Sequence, residues 1–429
     1  MMREALKHAQ AAGAGATLTF RESQSVELSF EFNRLKGIQN TESLQVTAQA
    51  IKGGRLGVAV STRAGGEGEA MERAIRLCQY GAPANYAFPD PEPSEKPEVY
   101  SEKAASLDLK EMLRVGEDLA AFLKSLHPDM NGSVNVSKTI LREGIANTNG
   151  LEATWDRTVV VLAAIASLVD GQNLVDLWDY HVSTDLDWDV EAIKHEIRSK
   201  LELARKNVPV ETDAYPVLFT PSAFRDLVSP ILACLDGRSV TRGISPFAGR
   251  LEEQIFSPDL TIVEDGLLAG GLQSRMYDAQ GVRCRRTPLI ENGVLREYLL
   301  DLDTAHKLGR KPIGTGGIGG IEPANVIVPG GSASKDSLLS GIKRGIVIEN
   351  TMGAWAGNPY SGQVSGNIAM GFLVENGELV GRVKDCMFSL NIFTHLKDHL
   401  VALSRETKNF GLVLPYALVN NVSITAKKN

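Results

Sequence analysis

Val46-Thr-Ala-Gln-Ala-Ile-Lys-Gly53-Gly54-Arg-Leu-Gly-Val-Ala-Val60 carries the clearest structural signal in the chain. Val46, Ala48 and Ala50 alternate up to the double glycine, and Leu56, Val58 and Val60 alternate away from it. Two half-buried strands are therefore predicted, joined by a tight turn whose positive φ glycine supplies. Working outward, Thr17 to Phe20 and Val26, Leu28, Phe30 and Phe32 show the same period of two, after a short helix over residues 1–12. A helix over Glu67 to Gly81 follows, with Met71, Ala74, Ile75 and Cys78 on one face. Five prolines between Pro83 and Pro97 then exclude helix and predict an extended strap.

Leu109, Met112, Leu113, Leu119, Phe122, Leu123 and Leu126 recur at helical spacing. Ser133 to Arg142 and Leu151 to Leu168 read as strands about an Asn147-Thr-Asn-Gly150 turn. Trp188 to Arg205 is a further helix, with Val190, Ile193, Ile197, Leu201 and Ala204 as its buried stripe. The texture then changes. Val217 to Phe219 reads as a strand and Pro221 to Leu235 as a helix with proline at its start. Short apolar runs separated by glycine follow: Leu260 to Glu264, Arg296 to Leu300, Asn325 to Val328, Gly345 to Glu349, Gly371 to Glu375 and Val422 to Ile424. A last helix is expected over Asn391 to Glu406. The fold class is α+β: an N-terminal α/β domain of mixed strands and long helices over residues 1–207, and a mainly β C-terminal domain with few helices over 208–429.

The 429 residues carry 45 basic and 52 acidic side chains, a net charge of −7, which disfavours a nucleic-acid-binding face. Cys78, Cys234, Cys284 and Cys386 are scattered, as expected of unbridged thiols in a reducing compartment. Residues 1–16 lack the apolar run of a signal peptide, and the longest apolar stretch, Val159 to Val169, is about half a membrane span. A cytoplasmic protein is expected.

Several catalytic patterns are spelled in the wrong context. Gly314-Thr-Gly316-Gly-Ile-Gly319 matches GxGxxG, but Ile321-Glu-Pro323 and a β-like Val326 to Val328 follow where a dinucleotide loop needs a helix. Ser332-Ala-Ser-Lys335 lacks the companion motifs of an SxxK enzyme. His195-Glu196 opens like HExxH, yet positions 199 and 200 are Ser and Lys. Because Ile193 and Ile197 take the buried face, Lys194, His195, Glu196 and Arg198 are expected in water. His395-Leu-Lys-Asp398-His399 sets two histidines at i and i+4, on the flank of a helix whose core stripe is Ile392, Phe393, Leu396, Leu400 and Leu403; no third ligand stands out. The densest polar and glycine cluster is Asn350 to Asn367. Asn350, Trp355, Asn358, Tyr360, Gln363, Ser365 and Asn367 are its candidate substrate contacts, with the loop at Gly357 to Asn367.

Asn350-x-Met-Gly353, Ser361-Gly-x-x-Ser365 and Gly371-Phe-Leu-Val-Glu375-Asn-Gly377 resemble the C-terminal signature of the TldD/PmbA family. So do Gly237-Arg-Ser-Val-Thr-Arg242, Leu260 to Asp265 and Asn391 to Asp398, and Asn149-Gly150-Leu resembles a turn in its first half. The resemblance implies a cytoplasmic peptidase of two related subunits: TldD, with HExxxH on a helix and a later cysteine as zinc ligands, and TldE, also called PmbA, without them. It places the metal helix at Pro221 to Leu235 and the three functional positions on Val228, Ser229 and Ala233, none of which binds zinc or serves as a general base. The late cysteine would fall near Asn409 to Gly411, and no cysteine follows Cys386. Gln363 stands where the family commonly has Asp.

The resemblance therefore implies a metal-free, TldE-type subunit without catalytic residues or cofactor of its own. It would pair with a zinc-bearing TldD-type chain to form a chamber where an unfolded peptide is cleaved, with no nucleic acid or membrane involved. Two alternatives stand beside it: a homodimeric peptide-binding or scaffold protein, and a pathway-specific subunit that trims a peptide conjugate.

Overall fold

A computed structural model describes residues 2–171, 173–354, 357–409 and 411–427. Six antiparallel strands form the first sheet: β1 (Gly15–Glu31), β2 (Arg34–Lys52), β3 (Arg55–Ser61), β4 (Asn131–Asn147), β5 (Glu152–Asp170) and β6 (Asn173–Ser183), in the order β3-β2-β1-β4-β5-β6. The predicted hairpin turn is present, with Gly53 and Gly54 both at positive φ (57° and 70°). The two short runs expected between Thr17 and Phe32 are one strand of 17 residues, whose polar middle pairs with β2 and β4. The strand β6 escaped the sequence reading altogether.

The helices α1 (Met2–Ala11), α2 (Glu67–Leu77), α3 (Glu102–Ala105), α4 (Leu109–Leu126) and α5 (Val190–Arg205) accompany this sheet. One end of its apolar face is covered by α1 and α2, through Leu18, Val46, Ala48, Met71 and Ala74. Nearer the other end, Leu28, Phe30, Val136 and Leu162 pack on Met112, Leu119 and Ile197. The opposite face carries polar residues such as Thr17, Thr47, Gln49 and Glu143, buried where the second half of the chain docks on it. The proline strap lies in that junction: Asn147 and Asn149 donate to the carbonyls of Pro89 and Phe88, and Ser94 donates to Met276 O.

The remaining strands are β7 (Asn207–Val208), β8 (Asp213–Phe219), β9 (Ile262–Asp265), β10 (Arg286–Glu291), β11 (Val294–Leu295), β12 (Val326–Ile327), β13 (Arg344–Met352), β14 (Gln363–Glu375), β15 (Glu378–Val383), β16 (Cys386–Asn391), β17 (Leu400–Asn409) and β18 (Val413–Ala426). Five of them close on themselves: β8 pairs with β13, β13 with β14, β14 with β16, β16 with β18, and β18 with β8. The ring is a small barrel, which leaves these strands no open edge within the circuit. Alternation sorts the side chains: Val217, Phe219, Ile346 and Ile348 join one core with Phe388 and Val419, while Leu218 and Val347 face a second core outside the ring. Helix α6 (Pro221–Leu235) packs on the first of these cores. The helices α7 (Gly237–Thr241), α8 (Leu302–Leu308), α9 (Lys335–Ser340) and α10 (Ile392–Asp398) are short. The architecture is α+β, and among the described residues no helix is long and apolar enough to cross a membrane.

Two expected elements differ. Arg296 to Leu300, buried from Tyr298 onward, is not a ladder strand; the amides of Arg296 and Glu297 bond to Leu289 O and that of Leu299 to Leu235 O. The expected helix over Asn391 to Glu406 stops at Asp398, and Leu400 onward is β17, paired with β18. A bulge explains the misreading. Leu400 opposes Val419 and Leu403 opposes Ala417, so one extra residue brings both leucines to the same face at a spacing of three, which imitates a helical stripe.

Candidate functional site

Thr220 caps α6 and Pro221 opens it, where a missing N–H costs nothing. Phe224, Leu227, Val228, Ile231, Cys234 and Leu235 form its buried stripe. Arg225, Asp226, Ser229, Pro230 and Ala233 lie on the other side, along a cavity of about 370 Å³. Of the three positions compared with a metal motif, Ser229 and Ala233 sit one turn apart on the cavity wall, whereas Val228 is fully buried in the core. The Ser229 hydroxyl donates to Arg225 O at 2.8 Å, within its own helix.

The cavity's other wall is made by Ala354, Gly357, Asn358, Pro359, Gln363 and Val364. The stretch expected to be one loop, 357–367, divides here. A short 3₁₀ turn at Pro359–Ser361 is capped by the Asn358 carboxamide, and the strand β14 begins at Gln363. Gly362 between them has φ of 70°, and a Cβ there would lie 2.4 Å from the Phe393 ring, so the corner requires glycine on two counts. Tyr360 bonds Ser239 Oγ at 2.8 Å and thereby ties the turn to α7. On β14, Gln363, Ser365 and Asn367 point outward and are exposed, and Gln363 donates to Ser389 Oγ at 2.7 Å. Trp355 lies outside the described residues.

Asn350 sits farther along, at the end of β13. With its amide assigned from its neighbours, it accepts from Trp178 Nε1 (3.1 Å) and donates to Ser222 Oγ (3.2 Å). The residues either side repeat the tie to α6: Thr220 Oγ1 donates to Glu349 O at 2.9 Å, and Thr351 Oγ1 to Asp226 Oδ2. Two further cavities continue the first. One of about 420 Å³ shares Arg225 and Asp226 with it and adds Trp178, Tyr180, Asn350 and Met352. The other, about 590 Å³, shares Trp178, Asn350 and Met352 and reaches Asn367, Arg382 and Lys384. Asn350, Asn358, Gln363 and Asn367 thus line one groove, together with Ser229 and Ala233. Tyr360 anchors it from behind, and Ser365 lies on the outward face between Gln363 and Asn367.

Behind Asn350, Lys200 Nζ lies 2.6 Å from Glu196 Oε1 and 2.6 Å from Glu349 Oε2. Burial alone would push this ammonium down, but the two glutamates, Glu349 first, outweigh it and hold it above the usual lysine range. Glu196 was expected in water; it turns instead toward β13, because the flank of α5 beside the Ile193–Ile197 stripe packs against the barrel. His195 is exposed as expected.

The resemblance implies zinc in a TldD-type partner and not in this chain, and the donors of this groove do not fit a zinc ion. Its α6 wall offers a single carboxylate, Asp226, already bonded to Thr351, and neither imidazole nor thiolate. The two-histidine helix does not supply the site either: the His395 ring nitrogens lie 2.9 Å from Asn391 O and 3.1 Å from Asn421 O, so both are directed at backbone carbonyls and neither faces outward. Among the described residues no three His, Cys, Asp or Glu side chains gather as ligands.

The sequence reading missed Trp178, Tyr180, Arg225, Asp226 and Met352. Trp178 and Tyr180 share one face of β6, and their i, i+2 spacing within Asn173 to Ser183 was the available signal. Nothing local marks Arg225 and Asp226 apart from an ordinary helix surface.

Residues 212–426 match the family model described as the PmbA/TldA metallopeptidase C-terminal domain. An uncharacterized protein of Methanocaldococcus jannaschii is 26% identical over 408 residues, covering 92% of this chain and 93% of its own. A Haemophilus influenzae protein named metalloprotease PmbA homolog is 24% identical over 412 residues, covering 92% and 89%. The solved TldE of Thermococcus kodakarensis superposes with a TM-score of 0.92 at 21% identity over 99% of this chain and 100% of that one, a likeness of fold.

Proposed function

The chain belongs to the PmbA/TldD metallopeptidase family, and from that premise we propose that it is the metal-free subunit of a heteromeric zinc peptidase of the cytoplasm. In this reading a TldD-type partner supplies the zinc and the general base. This chain completes the chamber and holds an unfolded peptide along the groove between α6 and β14.

The observation that carries the reading is the α6 wall. The positions that would bear a metal motif are Ser229 and Ala233 on the cavity and Val228 in the core, and the surrounding donors are amides, backbone and one committed carboxylate. Such a wall can bind a peptide backbone through hydrogen bonds and apolar contacts but cannot polarise a carbonyl with a metal. The outward face of β14 offers Gln363, Ser365 and Asn367 at two-residue spacing, a register that suits an extended chain.

The test is metal analysis and peptide hydrolysis on this chain alone and after co-expression with a TldD-type chain. The expected result is a one-to-one complex in which zinc and chelator-sensitive hydrolysis appear only with the partner. Stoichiometric zinc and hydrolysis in the isolated chain would overturn the proposal, as would a persistent homodimer that ignores the partner.

A further inference from the structure

The cavity of about 590 Å³ at the far end of the groove holds four charged side chains, Asp176, Arg382, Lys384 and Asp385, none of which closes an ion pair among the described residues. Elsewhere on this protein Arg and Lys commonly meet a carboxylate, as in Arg310–Glu297 or Lys194–Asp118. Here the cations hydrogen-bond only to neutral acceptors, and Asp176 and Asp385 act on Arg382 through space without closing a direct ion pair. Arg382 donates from Nη1 to Leu174 O (2.7 Å) and from Nη2 to Ala369 O (3.2 Å), its Nε finds no acceptor, and Lys384 Nζ donates to Asn173 Oδ1 (2.7 Å). Asp176 accepts from the Ser167 hydroxyl at 2.6 Å, and Asp385 is exposed at a positive φ of 54°. Neutral acceptors satisfy hydrogen bonds but do not neutralise charge.

Charges of both signs that close no direct ion pair, beside the apolar faces of Trp178 and Met352 in one cavity, suit a ligand that carries both charges and an apolar middle. Its size is that of an ordinary ligand site, roughly 300–1,000 Å³. The strand β14 supplies the scale: Gln363 lines the cavity at α6 and Asn367 lines this one, four residues apart, or about 13 Å at the rise of an extended strand. The cavity is thus a separate place on the same groove, about 13 Å along β14 from the α6 wall.

Resting on the peptide-groove reading, we propose that this cavity is a subsite for a short free peptide, with the α-carboxylate held at Lys384 and Arg382 and the α-ammonium at Asp176 and Asp385. The chain would thereby retain or guide out product-sized fragments.

The test uses the purified full-length chain and the tripeptide alanyl-leucyl-alanine, followed by calorimetry, with N-acetylated and C-amidated forms as controls. Each cap is expected to weaken binding by about fivefold, the modest value proper to partly exposed charge pairs. Lys384→Gln keeps the bond to Asn173, and Asp385→Asn keeps the positive φ; each is expected to weaken the free tripeptide similarly. Lys384→Gln should leave the C-amidated form unaffected and Asp385→Asn the N-acetylated form, a pattern that a general loss of structure does not produce. Equal binding of all three peptides, sensitivity to one cap only, or no binding at millimolar concentration overturns the proposal. A long peptide capped at both ends, presented to the complex with the partner, separates the two ideas. If it is bound while the tripeptide is not, only the subsite fails; if neither is bound, the groove reading fails as well.

Discussion

Lys200→Met removes one positive charge from the centre of the cluster behind the groove and replaces a long side chain with an apolar one of similar reach. Its ammonium lies 2.6 Å from both Glu196 and Glu349, whose side chains retain 23% and 15% of their surface while that of Lys200 retains 19%. Breaking a fully buried pair by removing one partner costs about 3–5 kcal/mol, because the abandoned charge has no compensation. The residual exposure lets water reach the carboxylates, so the expected loss is about 2–3 kcal/mol at pH 7. The pH dependence follows from the directions of the shifts. Lys200 is held above its ordinary value, so its contribution is present below the unfolded lysine pKa and is lost as pH rises through the folded one. Glu196 is held below its ordinary value, with burial opposing and Lys200 prevailing, so its contribution is present above the unfolded glutamate pKa and lost as pH falls through the folded one. The gap between wild type and variant should therefore be widest across the neutral range and should narrow both in acid and in strong alkali. Urea unfolding from pH 4 to 9, with the triple variant Glu196→Gln/Lys200→Met/Glu349→Gln as control, reads it directly. A loss under about 1 kcal/mol at pH 7, or a gap that does not narrow in acid, refutes the assignment of an energetically coupled cluster.

Gly362→Ala should destabilise by about 2–3 kcal/mol, combining left-handed strain with displacement of the Phe393 ring, and should weaken peptide binding to the groove; thermal unfolding and calorimetry check both. Asn350→Leu removes the carboxamide that accepts from the Trp178 N–H and donates to Ser222 Oγ, so a stability loss of about 1–2 kcal/mol and a changed tryptophan emission are expected, while unchanged emission counts against the contact. Glu264, pushed up to about 8 mainly by burial, binds its proton more tightly folded than unfolded. Wild-type stability should thus fall as pH rises from about 4.5 toward 8, by up to about 1.4 kcal/mol per unit from this group, and Glu264→Gln should remove that slope; an unchanged slope refutes the shift.

The fold class was readable because hydrophobic periodicity is local. The α6 limits, Pro221 and Leu235, and the Gly53-Gly54 turn follow from a proline start and paired glycines whatever lies around them. The misreading of Leu400 to Glu406 has the opposite origin: a bulge reproduces helical spacing inside a strand, and only pairing with β18 distinguishes the two. The strand β6 was lost because it presents apolar side chains on both faces, Val175 and Leu177 inward and Leu174 and Trp178 outward, which blurs its alternation.

By itself the sequence determined the chemistry that this chain can offer, since residue identity alone sets donor type: Val228, Ser229 and Ala233 bring no metal ligand, and no cysteine follows Cys386. The tertiary structure decided which residues meet. Ser229 and Gln363 lie more than a hundred residues apart along the chain and face each other only because the barrel closes, and Trp178 reaches Asn350 only because the six-stranded sheet docks on it. Such contacts depend on packing between distant segments, and no local pattern encodes them.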